Sequence, residues 1–293
     1  MIVLDNFDGH SEEKMRNLEQ YLQNPEFKLV KGDILDIKLL KKLMEDVDVV
    51  FHKAAQSGVR KSVINPMKTH QTNTTGTLNV LIAARDSDVE KVIYASSSSI
   101  YGSIDKLPQA EWQQTVPLSP YGVSKLAAER YCTSFYKIYG LKTVSLRYFT
   151  VYGPRQRPDM AIRIFVDRIF KQNQPIIFGD GMQTRDFTYV LDVVETNMLA
   201  MKKNNVNGGI FNIGSGRNIS VNDLVKKILT LTSSPIKPIY DSAQLGDVEH
   251  TLADITQAKE IMDWEPKVSL EKGLREFIDW YVLNNSRLNE LHI

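Results

Sequence analysis

Short apolar runs alternate with longer amphipathic ones along the first half of the chain. Ile2-Val3-Leu4 stops at Asp5-Asn6 and leads into a polar segment, roughly 11–23, that predicts a helix. Phe27-Lys28-Leu29-Val30 stops at Gly32-Asp33, residues 35–45 carry helical spacing, and Val47-Asp48-Val49-Val50-Phe51-His52 reads as a third strand. A long helical pattern covers 66–86 and contains Asn73-Thr74-Thr75-Gly76-Thr77. Residues 89–95 predict a strand, 119–139 a helix, and Thr143-Val144-Ser145-Leu146-Arg147 another strand. Strands alternating with helices in this way predict an α/β fold, a doubly wound parallel sheet with helices on both faces.

The texture changes after Gly153-Pro154. Prolines and arginines cluster in Pro154-Arg155-Gln156-Arg157-Pro158, and the elements become shorter, with a turn at Phe178-Gly179-Asp180-Gly181. Residues 188–201 read as a helix, Phe211-Asn212-Ile213 as a short strand, and 220–231 and 269–284 as helices. The expectation is a first domain over 1–153 and a smaller C-terminal region over 154–293, with segments near 188–213 returning to the first domain.

The densest chemistry lies around the strand at 89–95. Ser96-Ser97-Ser98-Ser99-Ile100-Tyr101-Gly102 follows it, and Tyr121-Gly122-Val123-Ser124-Lys125 opens the next helix. A Tyr four residues before a Lys places both side chains on one helix face. Ser119-Pro120 is a helix start: a capping hydroxyl, then a proline whose missing N–H costs nothing. Ligands of parallel α/β sheets bind at the carboxyl ends of the strands, where the serines are expected. A free phenol titrates near about 10, and a neighbouring ammonium lowers that value. Tyr121 can then accept a proton from a substrate hydroxyl while hydride leaves the same carbon, with Ser98 hydrogen-bonded to the oxygen.

Composition narrows the class. The 293 residues carry a net charge of +1 with 24% charged residues, so bulk electrostatics favour neither nucleic acid nor an anionic membrane as partner. The one cysteine, Cys132, sits in a helical pattern and reads as inert core. His10, His52, His70, His250 and His292 show no metal spacing, so no metal is assigned, and His52 reads as a packed strand residue. No signal peptide and no apolar run near 18 residues is evident, and the expected location is cytoplasmic.

A dinucleotide site in such a sheet begins with strand, glycine-rich turn and helix, because glycines let the backbone approach the pyrophosphate. The chain has no Gly-x-Gly-x-x-Gly, and Gly214-Ser215-Gly216, which imitates it late in the chain, reads as a turn. Ile2-Val3-Leu4-Asp5 instead looks like the second strand of the motif, whose acid accepts from the ribose hydroxyls about 20 residues after the glycines and favours NAD over NADP. The expectation is an N-terminally truncated sheet that starts roughly 30 residues late, the usual length of a βαβ unit. Loss of a first strand would leave an unpaired, apolar sheet edge.

With these motifs in order, the chain resembles the extended short-chain dehydrogenase/reductase family, and within it the NAD-dependent nucleotide-sugar epimerases, from residue 1 to about 282. The resemblance implies a Rossmann-like fold with NAD as cofactor and a UDP-sugar as substrate. Leu4-Asp5-Asn6 and Gly32-Asp33-Ile34 match the family's adenosine-side segments, which implies cofactor roles for Asp5, Asn6, Asp33 and Ile34. His52-Lys53-Ala54-Ala55 matches its His-x-Ala-Ala strand end with Lys53 at a position more often Leu, so Ala54 and Ala55 line the cofactor. Asn73, Ser97 and Tyr148 are further cofactor-side positions. By the same resemblance Ser98, Tyr121 and Lys125 form the catalytic set, and Lys125 also holds the nicotinamide ribose.

For the substrate, the resemblance implies Gln56, Ser98, Ser99, Thr150, Arg157, Phe178, Arg185 and Asp247. Arg147-Tyr148-Phe149-Thr150-Val151-Tyr152-Gly153-Pro154-Arg155-Gln156-Arg157 is closest in pattern to UDP-glucuronate 4-epimerases, where the Thr and the second Arg face the sugar carboxylate. A guanidinium fork suits a carboxylate, so Arg157 is the candidate reader of C6, while Arg185 is expected to grip the diphosphate. Gln244-Leu245-Gly246-Asp247-Val248 departs from the family by Gln244 in place of Arg. The related 4,6-dehydratases and the decarboxylase place an acid where this chain has Ser99, which favours epimerisation over their chemistry. A catalytically dead homologue that only binds remains the alternative from another class. A homodimer through the Tyr121 helix and the 66–86 helix is also implied.

Overall fold

The computed structural model describes residues 1–103, 106–243 and 248–290, with side chains through 284. Its strands are β1 (Ile2–Asp5), β2 (Lys28–Lys31), β3 (Val49–His52), β4 (Lys91–Ser97), β5 (Lys142–Tyr148), β6 (Thr150–Tyr152), β7 (Ile176–Phe178), β8 (Thr184–Tyr189), β9 (Ile210–Ile213), β10 (Asn218–Ser220) and β11 (Ile239–Asp241). Its α-helices are α1 (Ser11–Leu18), α2 (Ile37–Met44), α3 (Val59–Ile64), α4 (Pro66–His70), α5 (Gly76–Asp86), α6 (Pro120–Tyr139), α7 (Ala161–Phe170), α8 (Val190–Lys202), α9 (Val221–Leu231), α10 (Thr256–Met262) and α11 (Leu270–Glu290). The α/β class follows the sequence pattern.

The chain forms two compact units. The first comprises Met1–Gly102, Gln114–Arg147 and Leu199–Phe211. Its strands stand in two groups: β1 pairs in parallel with β2, and a four-stranded sheet runs in the order β3-β4-β5-β9. Every residue of β4 is buried, as befits a strand covered on both faces. Strands β1 and β3 are edges among the described residues, and Ile2 and Phe51 on them are exposed. One apolar core, built on Ile34, Leu40, Val80, Leu81, Val92, Tyr94 and Phe135, receives Leu4 of β1 and Val50 of β3 alike. Helices α2 and α5 supply Leu40, Val80 and Leu81 to that core.

The predicted long helix at 66–86 is interrupted. Residues Gln71–Thr75 form a π-turn between α4 and α5. The physical reason is Asn73, which is 1% exposed and bonded by its amide to another loop, as described below. One residue more per turn lets a buried side chain leave the helical ladder, a habit of functional segments. The helix that carries Tyr121 is as its sequence says: Ser119 Oγ accepts from the Gly122 N–H at 3.1 Å, Pro120 fills the first turn, and Gly140 ends it in the left-handed region at φ 73°.

The second unit comprises Ser103–Gln113, Tyr148–Met198 and Asn212–Ile293. Strand β8 lies between antiparallel β10 and parallel β6, and β7 pairs in parallel with β11. Its core gathers Tyr152, Ile162, Phe165, Ile177, Phe187, Leu224, Ile228, Leu274 and Phe277. Helix α7, the strand β8 and the helix α10 are elements the sequence pattern did not single out.

Candidate active site

Strand β4 delivers the serines. It ends at Ser97, whose Oγ accepts from the Ser99 N–H at 3.2 Å and caps a single 3₁₀ turn, Ser98–Ile100. The turn closes with the Tyr101 N–H donating to Ser98 O at 3.1 Å. Helix α6 comes very close to it. A methyl group on Gly122 would stand 2.5 Å from Ser99 O, so only glycine admits this approach, and the residue before it is Tyr121. The Ser98 turn and the first turn of the Tyr121 helix are therefore packed backbone to backbone.

Lys125 is 3% exposed and donates from Nζ to Ala95 O at 2.8 Å. Its ammonium lies 5.0 Å from the Tyr94 ring centre and 5.9 Å from that of Tyr121. Burial pushes the ammonium down to about 8. An ammonium has three donors, so two remain beyond the bond to Ala95 O. The three catalytic positions read from sequence, Ser98, Tyr121 and Lys125, thus belong to one unit and to adjoining elements.

Asn73 joins the strand-end loop to this helix. Its Oδ1 accepts from the Gln56 N–H at 2.7 Å, and its Nδ2 donates to Gln56 O at 3.1 Å and to Ser124 Oγ at 2.9 Å. Ser124 Oγ in turn donates to Tyr121 O at 2.8 Å. Ala54, Ala55 and Gln56 are consequently fixed relative to the Tyr121 turn. His52 is not a base: it is 4% exposed, and burial first, then Lys125 and Lys53, push it down to about 3. Its Nε2 lies 2.8 Å from Thr77 Oγ1, whose own proton goes to Asn73 O at 2.6 Å, so the imidazole donates in this pair.

At the end of β1, Asp5 Oδ1 accepts from the Phe7 N–H and from Lys14 Nζ, the latter at 2.9 Å. Both bonds fall on one oxygen, which leaves Oδ2 to accept from a diol. Asn6 Nδ2 donates to Asp33 Oδ2 at 2.8 Å, tying the ends of β1 and β2 together, and Ile34 is core. A diol acceptor at Asp5 and a buried ammonium with further donors at Lys125 fit the two riboses of a dinucleotide. Gly214-Ser215-Gly216 is the turn expected, and its anion is internal. The buried Asp186 carboxylate accepts from Ser215 N, Ser215 Oγ, Gly216 N and Ala253 N at 2.7–3.1 Å.

Tyr148, Thr150, Arg157, Phe178 and Arg185 lie in the second unit. Tyr148 Oη donates to Asn197 Oδ1 at 2.9 Å. Arg157 donates from Nε to Asp159 Oδ1 at 2.8 Å, so the candidate carboxylate reader is held by a neighbouring carboxylate. Arg185 Nη1 donates to Thr184 O and Glu249 O at 2.9 and 3.0 Å. Asp247 lies outside the described residues. Among the described residues no group of acids, histidines and cysteine is placed to hold a metal, and no helix is long and apolar enough to cross a membrane. Cys132 is buried, and burial pushes its thiol up.

Sequence reading missed the four side chains that bond one another beside the Ser98 turn: Ser96, Tyr101, Glu129 and Arg147. No local signal marks them, since their pairing exists only in the fold.

Residues 2–277 match the sequence family described as GDP-mannose 4,6 dehydratase. A UDP-glucuronate 4-epimerase of Thermodesulfobacterium geofontis is 37% identical over 270 residues, covering 91% of this chain and 83% of that protein. The structure of a UDP-glucuronic acid 4-epimerase from Bacillus cereus, in complex with UDP-glucuronic acid and NAD, superposes with a TM-score of 0.92 at 34% identity, over 97% of this chain and 91% of that one. A UDP-glucose 4-epimerase from Thermotoga maritima with UDP-glucose gives 0.91 at 37% identity, over the same shares. The chain belongs to the GDP-mannose 4,6 dehydratase family of extended short-chain dehydrogenases/reductases.

Proposed function

We propose that the protein is an NAD-dependent 4-epimerase of a UDP-sugar. The observation that carries the reading is the junction of the Ser98 turn with the Tyr121–Lys125 helix face, closed by the contact that only Gly122 permits. Tyr121 takes the proton of the C4 hydroxyl, and Ser98 donates a hydrogen bond to the oxygen that becomes a ketone. The buried Lys125 ammonium favours the phenolate and, with its spare donors, holds a ribose. NAD, when bound, accepts the C4 hydride and returns it to the other face of the ketone. Asp5 accepts from the second ribose. Ser99 stands where the dehydratases carry an acid, so the protein has no group at that point for elimination.

Arg185 is proposed to hold the nucleotide diphosphate and Arg157 the C6 carboxylate of UDP-glucuronate, with Asp247 a further substrate-side position and Thr150, Gln56, Ser99 and Phe178 lining the sugar and base. The purified protein is expected to release NAD on denaturation and to epimerise UDP-glucuronate. Arg157→Ala should lower kcat/KM on UDP-glucuronate by about 30-fold, the worth of a charge-assisted hydrogen bond, and on UDP-glucose by no more than about threefold. Equal losses on both sugars would remove Arg157 as carboxylate reader. Absence of NAD and of turnover on UDP-glucose, UDP-N-acetylglucosamine and UDP-glucuronate would remove the epimerase.

A cytoplasmic homodimer is part of the proposal. Helices α4 and α6 carry exposed Met67, Val123, Tyr131 and Ile138, an apolar set that pairing of two copies would cover. Sedimentation should give twice the 33.4 kDa chain mass, and Val123→Glu with Ile138→Glu should give single chains; a monomeric parent would end this part of the proposal.

A further inference from the structure

The Ser98 turn is short and weakly self-supporting, since three residues of 3₁₀ helix close one backbone bond. Four buried side chains that take no part in the chemistry above are bonded to it and to the helix it must face. Arg147 on β5 and Glu129 on α6 are 1% and 0% exposed and form a bidentate pair, Nε to Oε2 at 2.9 Å and Nη2 to Oε1 at 2.8 Å. Ser96 Oγ donates to Glu129 Oε2 at 2.7 Å. Arg147 Nη1 donates to Tyr101 Oη at 2.7 Å, with the guanidinium carbon 5.0 Å from the Tyr101 ring centre.

The attachment points are specific. Ser96 stands two residues before Ser98 and Tyr101 three residues after it, so the quartet grips the turn at both ends. Glu129 stands four residues after Lys125 on the same helix, one turn along the face that carries Tyr121 and Lys125. A buried ion pair is a poor source of net stability, because desolvation of two charges consumes most of their attraction. Packed apolar side chains would hold β5 to α6 as well. What they would lack is the directional bond from one guanidinium to a carboxylate on the catalytic helix and a phenol on the catalytic turn.

We propose that Arg147 and Tyr101 are positioning residues for the Ser98 hydroxyl, with Glu129 and Ser96 as their anchors on helix and strand. The proposal rests on the epimerase reading for its kinetic consequence and on the fold alone for its structural one. Tyr101→Phe is the discriminating variant, because it keeps the ion pair and the aromatic face and removes only the hydroxyl that accepts from Arg147.

Hydrogen exchange resolved by peptide decides the structural half without any substrate. Tyr101→Phe should speed exchange at 98–102 by about tenfold and leave the body of α6 unchanged, with the melting temperature close to that of the parent. Unchanged exchange at 98–102 would overturn the proposal. In kinetics, Tyr101→Phe should lower kcat by about tenfold with KM within about twofold, as expected for a small misplacement of a reacting group. Because it acts through Ser98, it should cost nothing further in a Ser98→Ala background. A full tenfold loss in that background, or a loss confined to KM, would overturn the positioning role. A parent protein inactive on every UDP-sugar would overturn the epimerase reading, and the exchange result would still decide whether the quartet holds the turn.

Discussion

Tyr121→Phe should reduce kcat for UDP-sugar epimerisation by about a thousandfold while leaving the fold, the bound cofactor and the nucleotide affinity in place. In the proposed mechanism the Tyr121 phenol oxygen takes the C4 proton, and general-base catalysis by a positioned side chain is worth about 10²- to 10⁴-fold. The ring, which packs beside Lys125, is retained in phenylalanine, so the change isolates the proton transfer. Its pH profile carries a second signature. Burial pushes Lys125 down to about 8, so the ammonium that favours the phenolate is present below that pH and lost above it. The parent rate should therefore fall as pH rises through about 8, and the residual rate of Tyr121→Phe should show no such limb. A variant that keeps more than about a tenth of parent kcat, or keeps the limb, would show that another group moves the proton.

How much of this was legible in the sequence depends on whether the determinant was local. Helix α6 was readable to its ends because its start and stop are written in side chains that act within one turn: Ser119, Pro120 and Gly140. The pairing of Tyr121 with Lys125 needed only helical spacing, and the strand read at 89–95 only an apolar run that stops, although β4 runs on through Ser97. The π-turn was not readable. Its cause is Asn73 bonding to Gln56 and Ser124, partners 17 and 51 residues away, and the local pattern continues as an ordinary helix. Gly214-Ser215-Gly216 was legible as a turn, but the four bonds that it and Ala253 N make to the Asp186 carboxylate were not. The second unit's strands β6, β7, β10 and β11 have three residues each, too few for alternation to declare a period.

Arg147→Met should be among the most destabilising single changes available to the chain, at about 3–5 kcal/mol. Sequence gives no hint of it, because Arg147 ends a strand and Glu129 sits in a helix with Arg130 beside it, where either charge would pass for solvated. In the fold both are buried, and the guanidinium is the partner of both carboxylate oxygens of Glu129. Methionine fills much of the arginine stem's volume and removes the charge, leaving a carboxylate in the interior with the Ser96 hydroxyl as its remaining donor. For a chain of this size the melting point should drop by about 10 °C near neutral pH. Adding Glu129→Leu removes the stranded charge and should recover most of the loss, since an apolar pair of similar volume can stand in for a buried ion pair. The recovered protein would still lack the bond from Arg147 to Tyr101 and should remain slow. Stability regained without kcat would separate what the ion pair does for the fold from what it does for Ser98; kcat returning with stability would show that packing alone places the turn.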